Sequence, residues 1–299
     1  MNKAEHFKSG FVAVVGRPNV GKSTMINALI GDKIAIVSDK AQTTRNRIIC
    51  VYTDEEKQIV FMDTPGVHKP KHKLGEFMVD AAIESLKETE AVLFVVAGNE
   101  KRGPGDNFII EQLKRVKVPV FIVVNKIDTL QKEQVLEAIV SYQDAYPFAG
   151  VIPISAKNKE NLSELLNVLG EHLPEGPQYF PEDMITDQPE RLIISDIVRE
   201  KILLSTRDEI PHAIAVDVDE MKTRDDGTTY IRATIYCERD SQKGIIIGNK
   251  GALLRKIGAE ARMDIQKLLA TKVYLDLWVK VKKDWRNKSG MLSELGYKK

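Results

Sequence analysis

The feature that most narrows what this chain can fold into lies near its start: Gly16, Arg17, Pro18, Asn19, Val20, Gly21, Lys22 and Ser23 in succession. They fit G-x-x-x-x-G-K-[ST], a pattern that works only where a strand turns into a helix. An apolar run at 11–15 precedes it and a helical pattern at 23–29 follows. A glycine-rich turn there aims backbone N–H groups and the positive end of the helix dipole at one point, which is a seat for phosphate. Lys22 would place a cation on β- and γ-phosphates, and Ser23, followed by Thr24, would offer a hydroxyl to Mg2+.

The rest of the first half agrees with such a unit. Residues 58–62, 91–97, 118–124 and 151–154 read as further strands, and 74–87, 106–115, 132–141 and 161–173 as helices. Continuous rather than alternating apolarity means burial on both faces, so the expected fold is an α/β doubly wound, mostly parallel sheet covered by helices. Pro174, Pro177 and Pro181 then interrupt the chain. No helix or central strand tolerates that spacing. Beyond it the period changes to two. Ile231, Ala233, Ile235 and Cys237 alternate with polar residues, as do Val273, Leu275, Leu277, Val279 and Val281. With helices at 191–204 and 254–268, the second module is expected to be an α+β domain ordered α-β-β-α-α-β. One face of its antiparallel-type sheet should be open to solvent. The expected division is a nucleotide domain at 1–178, a linker at 179–190 and a second domain at 191–299.

Two further boxes name the nucleotide. Asp63, Thr64, Pro65 and Gly66 follow a strand, where a carboxylate suits a water-mediated hold on Mg2+ and Gly66 can bring its N–H to a γ-phosphate. Asn125, Lys126 and Asp128 follow the apolar run 118–124. A carboxylate accepts both adjacent donors of guanine, whereas adenine would leave it unpaired. Asn125 either bonds the base or ties its loop to the phosphate loop. Ser155, Ala156 and Lys157 end the next strand and can close over the base. In this order the boxes resemble a translation-factor-class GTPase. That resemblance implies a Mg2+-ligating effector-loop threonine within Gln42-Thr43-Thr44-Arg45, for which Thr44 is the choice and Thr43 the alternative.

Composition excludes other classes. Of 299 residues 43% are hydrophobic and 29% charged, which suits soluble globular domains. Cys50 and Cys237 offer neither a disulfide framework nor zinc spacing. No apolar run approaches the roughly 20 residues of a membrane span, and residues 1–10 lack the apolar core of a signal peptide. A cytoplasmic protein, at most attached to a membrane surface, is expected. The net charge of +1 hides an asymmetry: residues 241–299 carry 14 basic and 5 acidic groups. A polyanionic partner fits there.

Gly244-Ile-Ile-Ile-Gly248-Asn249-Lys250-Gly251 lies between two helical patterns and resembles the G-x-x-G loop of KH domains. Its glycines would let the backbone approach a nucleic-acid backbone, with Lys250 adding charge. An apolar groove beside the loop, from residues 245–247, is expected to take unstacked bases. Lys243, Ile246, Gly248, Asn249, Lys250 and Gly251, with Lys282, Lys283 and Arg286 of a basic and aromatic tail that includes Trp285, form the candidate RNA surface. A GTPase followed by a KH (type II) domain, together with Ala41-Gln-Thr-Thr-Arg and Leu277-Trp-Val-Lys-Val-Lys-Lys-Asp-Trp-Arg, resembles the Era family over essentially the full length. That resemblance implies a GTP-hydrolysing switch, GTP or GDP with Mg2+ as ligands, and a monomer. It implies binding of 16S ribosomal RNA near its 3′ end, a role in assembly of the 30S subunit, and peripheral contact with the inner face of the cell membrane. The competing reading is a membrane-linked signalling GTPase whose basic region binds anionic lipid, which needs charge but no G-x-x-G loop.

Hydrolysis should be slow. Val67 stands where Ras-like enzymes keep the glutamine that orients water. The expected catalytic set is therefore Lys22, Thr44, Gly66 and Asn19. Related GTPases hold K+ with an asparagine at the Asn19 position, which implies a monovalent cation here. The alternative is that Asn19 only supports the loop.

Overall fold

The computed structural model describes residues 6–38, 40, 43–66, 72–208 and 210–297. The chain divides into two compact units, the first running to Asp187 apart from His72–Leu74, and the second comprising those three residues and the chain from Gln188.

In the first unit β1 (Lys8–Val15) leads into α1 (Lys22–Ile30). There follow β2 (Ile48–Thr53), β3 (Lys57–Asp63), α2 (Lys73–Glu84), β4 (Ala91–Ala97), α3 (Pro104–Leu113), β5 (Val120–Asn125), α4 (Lys132–Gln143), β6 (Gly150–Pro153) and α5 (Leu162–His172). The sheet order is β2-β3-β1-β4-β5-β6. All neighbours are parallel except β2 with β3, which form a hairpin. Successive residues of β1 enter different cores. Val12 and Val14 pack with Met25, Ile26, Leu165 and Leu169, and Ala13 and Val15 with Ile109, Ile110 and Leu113. Coverage on both faces is why these strands read as unbroken apolar runs. Because β1 lies between β3 and β4, connections leave it to opposite sides. The crevice at its C-terminal end is where such sheets take ligands.

β2 is not among the strands named from the sequence. Its Ile-Ile-Cys-Val-Tyr-Thr run, followed by the acidic turn at 54–56, is a hairpin signal. The proline-bearing segment after α5 lies along this hairpin. Gln58 donates to the Phe180 carbonyl at 2.9 Å and accepts from the Tyr179 and Phe180 N–H groups. Val51 N–H reaches the Ile185 carbonyl at 2.9 Å, and Thr186 Oγ1 the Ile49 carbonyl at 2.7 Å.

The second unit contains α6 (Glu190–Ser205), α7 (Ile210–Ala213), β7 (Ala215–Thr223), β8 (Thr229–Cys237), α8 (Asp240–Ile247), α9 (Ala252–Leu269), β9 (Val273–Val281) and α10 (Ser289–Glu294). Ile231, Ala233, Ile235 and Cys237 are buried against Ile194, Val198, Ile257, Ala261 and Ile265. Trp278 and Tyr274 on the opposite face are about half exposed. The sheet, ordered β7-β8-β9, differs from the expected antiparallel type: β7 and β8 are antiparallel but β8 and β9 are parallel. Alternation records that one face is covered, not the direction of the neighbour. The α8–α9 crossover supplies the long connection a parallel pair needs. Among the described residues no helix is long and apolar enough to cross a membrane.

Candidate functional site

The first site is a cleft of about 420 Å³ at the C-terminal end of β1, lined by Asn19, Lys22, Ser23, Thr44, Gly66 and Lys126 among others. The chain turns through Asn19 (φ 65°) and Gly21 (φ 98°) into α1. Lys22 is buried, and its ammonium donates to the carbonyls of Gly16 at 3.2 Å and Arg17 at 3.1 Å. Burial lowers its pKa to about 8, against the pull of Asp63.

Three oxygens meet at the mouth of this loop. Ser23 Oγ donates to Asp63 Oδ2 at 2.8 Å and lies 2.9 Å from Thr44 Oγ1, which is 3.4 Å from the same carboxylate oxygen. Asp63 is fully buried at the end of β3, and burial raises its pKa to about 6, opposed by Lys22, Ser23 and Thr44. Its Oδ1 is buried with no hydrogen-bond partner among the described residues. A buried carboxylate with an unused oxygen beside two hydroxyls fits a small hard cation. Among the described residues no three His, Cys, Asp or Glu side chains gather into a metal cage. Mg2+ takes few protein ligands and completes its shell with phosphate and water. Thr43 instead donates to the Lys40 carbonyl at 2.6 Å. Thr64 is locked inward, donating to the Val14 carbonyl at 2.7 Å.

The base-side loop is tied together by Asn125. Its Nδ2 donates to the Val20 carbonyl at 2.9 Å, and its Oδ1 accepts from the N–H groups of Lys126 at 2.8 Å and Ala156 at 3.0 Å. Of the two roles open to Asn125, the structure displays loop bracing, and the Ala156 N–H is engaged with it. Asp128 accepts from Ser155 Oγ at 2.7 Å, and that oxygen accepts from the Asn158 N–H at 3.1 Å. The carboxylate is thereby aimed before any base arrives. Lys157 is exposed.

One expected ligand side chain points elsewhere. The Arg17 guanidinium bonds Asp106 and Glu100, each at 2.9 Å. The buried Asp106 and the exposed Glu100 outcompete the cleft for it, so only its backbone serves the loop. Val67, expected to bear on hydrolysis, lies outside the described residues.

The second site is in the second unit. Gly248 (φ 72°), Lys250 (φ 47°) and Gly251 (φ 76°) form a left-handed turn between α8 and α9. Arg255 braces it, donating to the carbonyls of Lys250 at 2.9 Å and Gly251 at 3.4 Å. Asn249 and Lys250 are exposed. Beside the loop runs a groove of about 600 Å³ between α9 and β9, floored by Leu254, Gly258, Ala259, Leu275 and Leu277 and edged by Arg255 and Arg262. It is not among the features named from the sequence. Positions 251, 254, 255, 258 and 262 share one helix face, and the small pair Gly258-Ala259 there marks a hollow. Ile246, assigned to the RNA surface, is instead fully buried in the core of this unit. On α8 its neighbour Ile245, turned by roughly 100°, is exposed, while Ile247 is partly buried against the same core. Arg286, also assigned to the RNA surface, is engaged within the unit. Its Nε and Nη2 grip the Glu238 carboxylate at 3.1 and 2.5 Å. Trp285 is buried, with its indole N–H on the Ala213 carbonyl at 2.9 Å. Lys282 and Lys283 are exposed, and Lys243 is half-buried.

Residues 11–126 match the family described as 50S ribosome-binding GTPase, and residues 209–286 match the KH domain. A crystal structure of an Aquifex aeolicus Era variant bound to GDP·AlF4− is 43% identical, covers 97% of this chain and 99% of its own, and superposes with a TM-score of 0.94. The chain belongs to the Era family. Era solved with MgGDPNP and nucleotides 1506–1542 of 16S ribosomal RNA is likewise 43% identical, with 98% and 99% coverage and a TM-score of 0.95. The Era pairing of GTPase and KH modules thus extends over nearly all of this chain.

Proposed function

We propose that this chain is a GTP-hydrolysing switch that binds 16S ribosomal RNA near its 3′ end and acts in assembly of the small ribosomal subunit in the cytoplasm. The observation that carries this reading is the convergence of Lys22, Ser23 and Thr44 on one cleft, with Asp63 bonded to Ser23 behind it and Asp128 held by Ser155 in the loop whose Lys126 lines the same cleft. It stands in a chain matched end to end by Era bound to MgGDPNP and that RNA.

The residues divide the work. Backbone N–H groups of 16–24 cradle the phosphates, Lys22 neutralises β- and γ-oxygens, and Gly66 meets the γ-phosphate. Ser23 and Thr44 would ligate Mg2+ directly and Asp63 through water. The ion would bridge phosphate oxygens and draw off developing charge. Asp128 accepts from guanine while Asn125 holds its loop. Lys250 and the left-handed loop take an RNA phosphate, and the groove takes unstacked bases. A lipid-binding role for the basic region leaves the loop and groove without a purpose. RNA electrophoretic shift against liposome flotation separates the two.

Nucleotide identity is tested at Asp128. Asp128→Asn replaces an acceptor of the guanine 2-amino donor with a group that can donate to the xanthine carbonyl. GTP affinity should fall and xanthosine triphosphate affinity rise, a swing on the order of 100-fold or more between them. An unchanged preference for GTP would remove Asp128 from the site.

Val67 has no polar atom with which to orient water, so added positive charge near the β–γ bridge matters more. Asn19 would be the residue to hold K+ there. Single-turnover hydrolysis should run about tenfold faster in KCl than in NaCl at matched ionic strength, and Asn19→Ala should abolish the difference. Equal wild-type rates in both salts would assign Asn19 to loop support alone.

A further inference from the structure

The Arg17 side chain, excluded from the cleft, is held more firmly than a loop residue needs for itself. Its Nε meets Asp106 Oδ1 at 2.9 Å and its Nη2 meets Glu100 Oε2 at 2.9 Å. Asp106 is fully buried at the start of α3, where its other oxygen accepts from the Gly103 N–H at 2.8 Å. The far oxygen of Glu100 lies 3.6 Å from the Lys126 ammonium, and Lys126 lines the nucleotide cleft. The path for the arginine is cleared by sequence: a Cβ at Gly105 would sit 2.7 Å from Arg17 Cδ. The backbone carbonyl of Arg17 in turn helps hold Lys22. One guanidinium therefore joins the phosphate loop, the N-terminus of α3, the turn after β4 and the base-side loop.

We infer that Arg17 is a positioning residue for nucleotide binding, a strap that fixes the phosphate loop against Asp106 and, through Glu100 and Lys126, against the loop that reads the base. A planar fork suits this role, because it engages two carboxylates in fixed directions where an ammonium is a point charge. This inference rests on the proposed nucleotide site. It predicts a binding defect common to di- and triphosphate, since the loop cradles the phosphates both share.

The test uses the full chain with Mg2+. Fluorescent GDP and GTP analogues are titrated into wild type, Arg17→Ala, Arg17→Lys, Asp106→Asn and Glu100→Gln. Binding is measured well below each variant's unfolding temperature, and single-turnover hydrolysis is measured at saturating GTP. Arg17→Ala should weaken both nucleotides about tenfold to thirtyfold, in line with loss of loop geometry rather than of a phosphate contact. The saturated rate should change less than about threefold. Arg17→Lys should recover only part of the affinity. Glu100→Gln removes an exposed partner and leaves the core intact, so it tests the strap even if the Arg17 and Asp106 variants fail to fold. It should weaken both nucleotides about threefold.

Unchanged affinity in folded Arg17→Ala, or in Glu100→Gln where Arg17→Ala does not fold, would overturn the inference and leave the ion pairs as supports of α3. A defect confined to GTP would overturn it too, by pointing to the γ-phosphate. Failure of the wild type to bind either analogue would refute the nucleotide site itself and not the strap.

Discussion

Lys22→Ala should abolish useful nucleotide binding, with affinity for GDP and GTP falling on the order of several hundred-fold. The ammonium is buried and already held by the Gly16 and Arg17 carbonyls, so little side-chain order is lost when phosphates arrive. Truncating one partner of such a buried charge contact costs about 3 to 4 kcal/mol. Isothermal titration with Mg2+ present reads the loss directly, and near-wild-type affinity would refute the phosphate assignment. The same geometry sets a pH window. In the free protein Asp63 titrates near 6 and Lys22 near 8. Nucleotide with Mg2+ needs the first ionised and the second protonated. Binding should therefore be tightest between these values, weakening as pH falls below about 6 because Asp63 takes up a proton. It should weaken again above about 8 because Lys22 loses one. Lys22→Ala should erase the alkaline limb and keep the acidic one.

The second large effect is expected at the KH loop. Gly251 has a φ of 76° and open space around an added Cβ, whereas a Cβ at Gly248 would lie 2.8 Å from that of Leu253. Gly251→Asp is therefore the cleaner probe. It costs the fold about 1 kcal/mol for a left-handed aspartate and sets a negative charge where an RNA phosphate must come. Affinity for a 16S 3′-end fragment should fall on the order of 100-fold or more at moderate salt. Single-turnover GTP hydrolysis should stay within about twofold, because the residues assigned to it lie in the first unit. Wild-type RNA affinity should decline steeply with added salt. If folded Gly251→Asp binds the fragment as wild type does, the RNA surface lies elsewhere.

Much of this was legible in the sequence because motif spacing and burial are local or two-sided properties. The apolar runs at 91–97 and 118–124 became β4 and β5 because both faces of that sheet are covered. Lys22, Ser23, Asp63 and Asp128 can be singled out in the sequence because each stands just after a strand or at the start of a helix, where chemistry and geometry are fixed together. What the sequence hid depends on direction. Which of three successive isoleucines enters the core is decided by the rotation of α8, and it is Ile246. Trp285, read from the sequence as part of an exposed basic and aromatic tail, follows the left-handed Asp284 and is buried. Arg17 sits inside a phosphate motif, yet its side chain answers to Asp106, almost ninety residues later in the sequence. The groove between α9 and β9 joins two elements whose proximity no local pattern records.

The parallel pairing of β8 with β9 has a consequence for how the second unit comes into being. Thr229–Cys237 pairs residue for residue with Val273–Val281, so that edge of β8 stays open until α8, the left-handed turn and α9 have been made. Closure of a loop this long is slow compared with a hairpin. During synthesis, β7 and β8 can zip early, while the free edge of β8 waits for β9 to leave the ribosome. A nascent chain halted before residue 273 would expose an apolar strand edge that invites pairing with other chains. Emergence of β9 is therefore the moment at which this unit both seals its sheet and, in the same closing motion, completes the groove walled by Leu275 and Leu277.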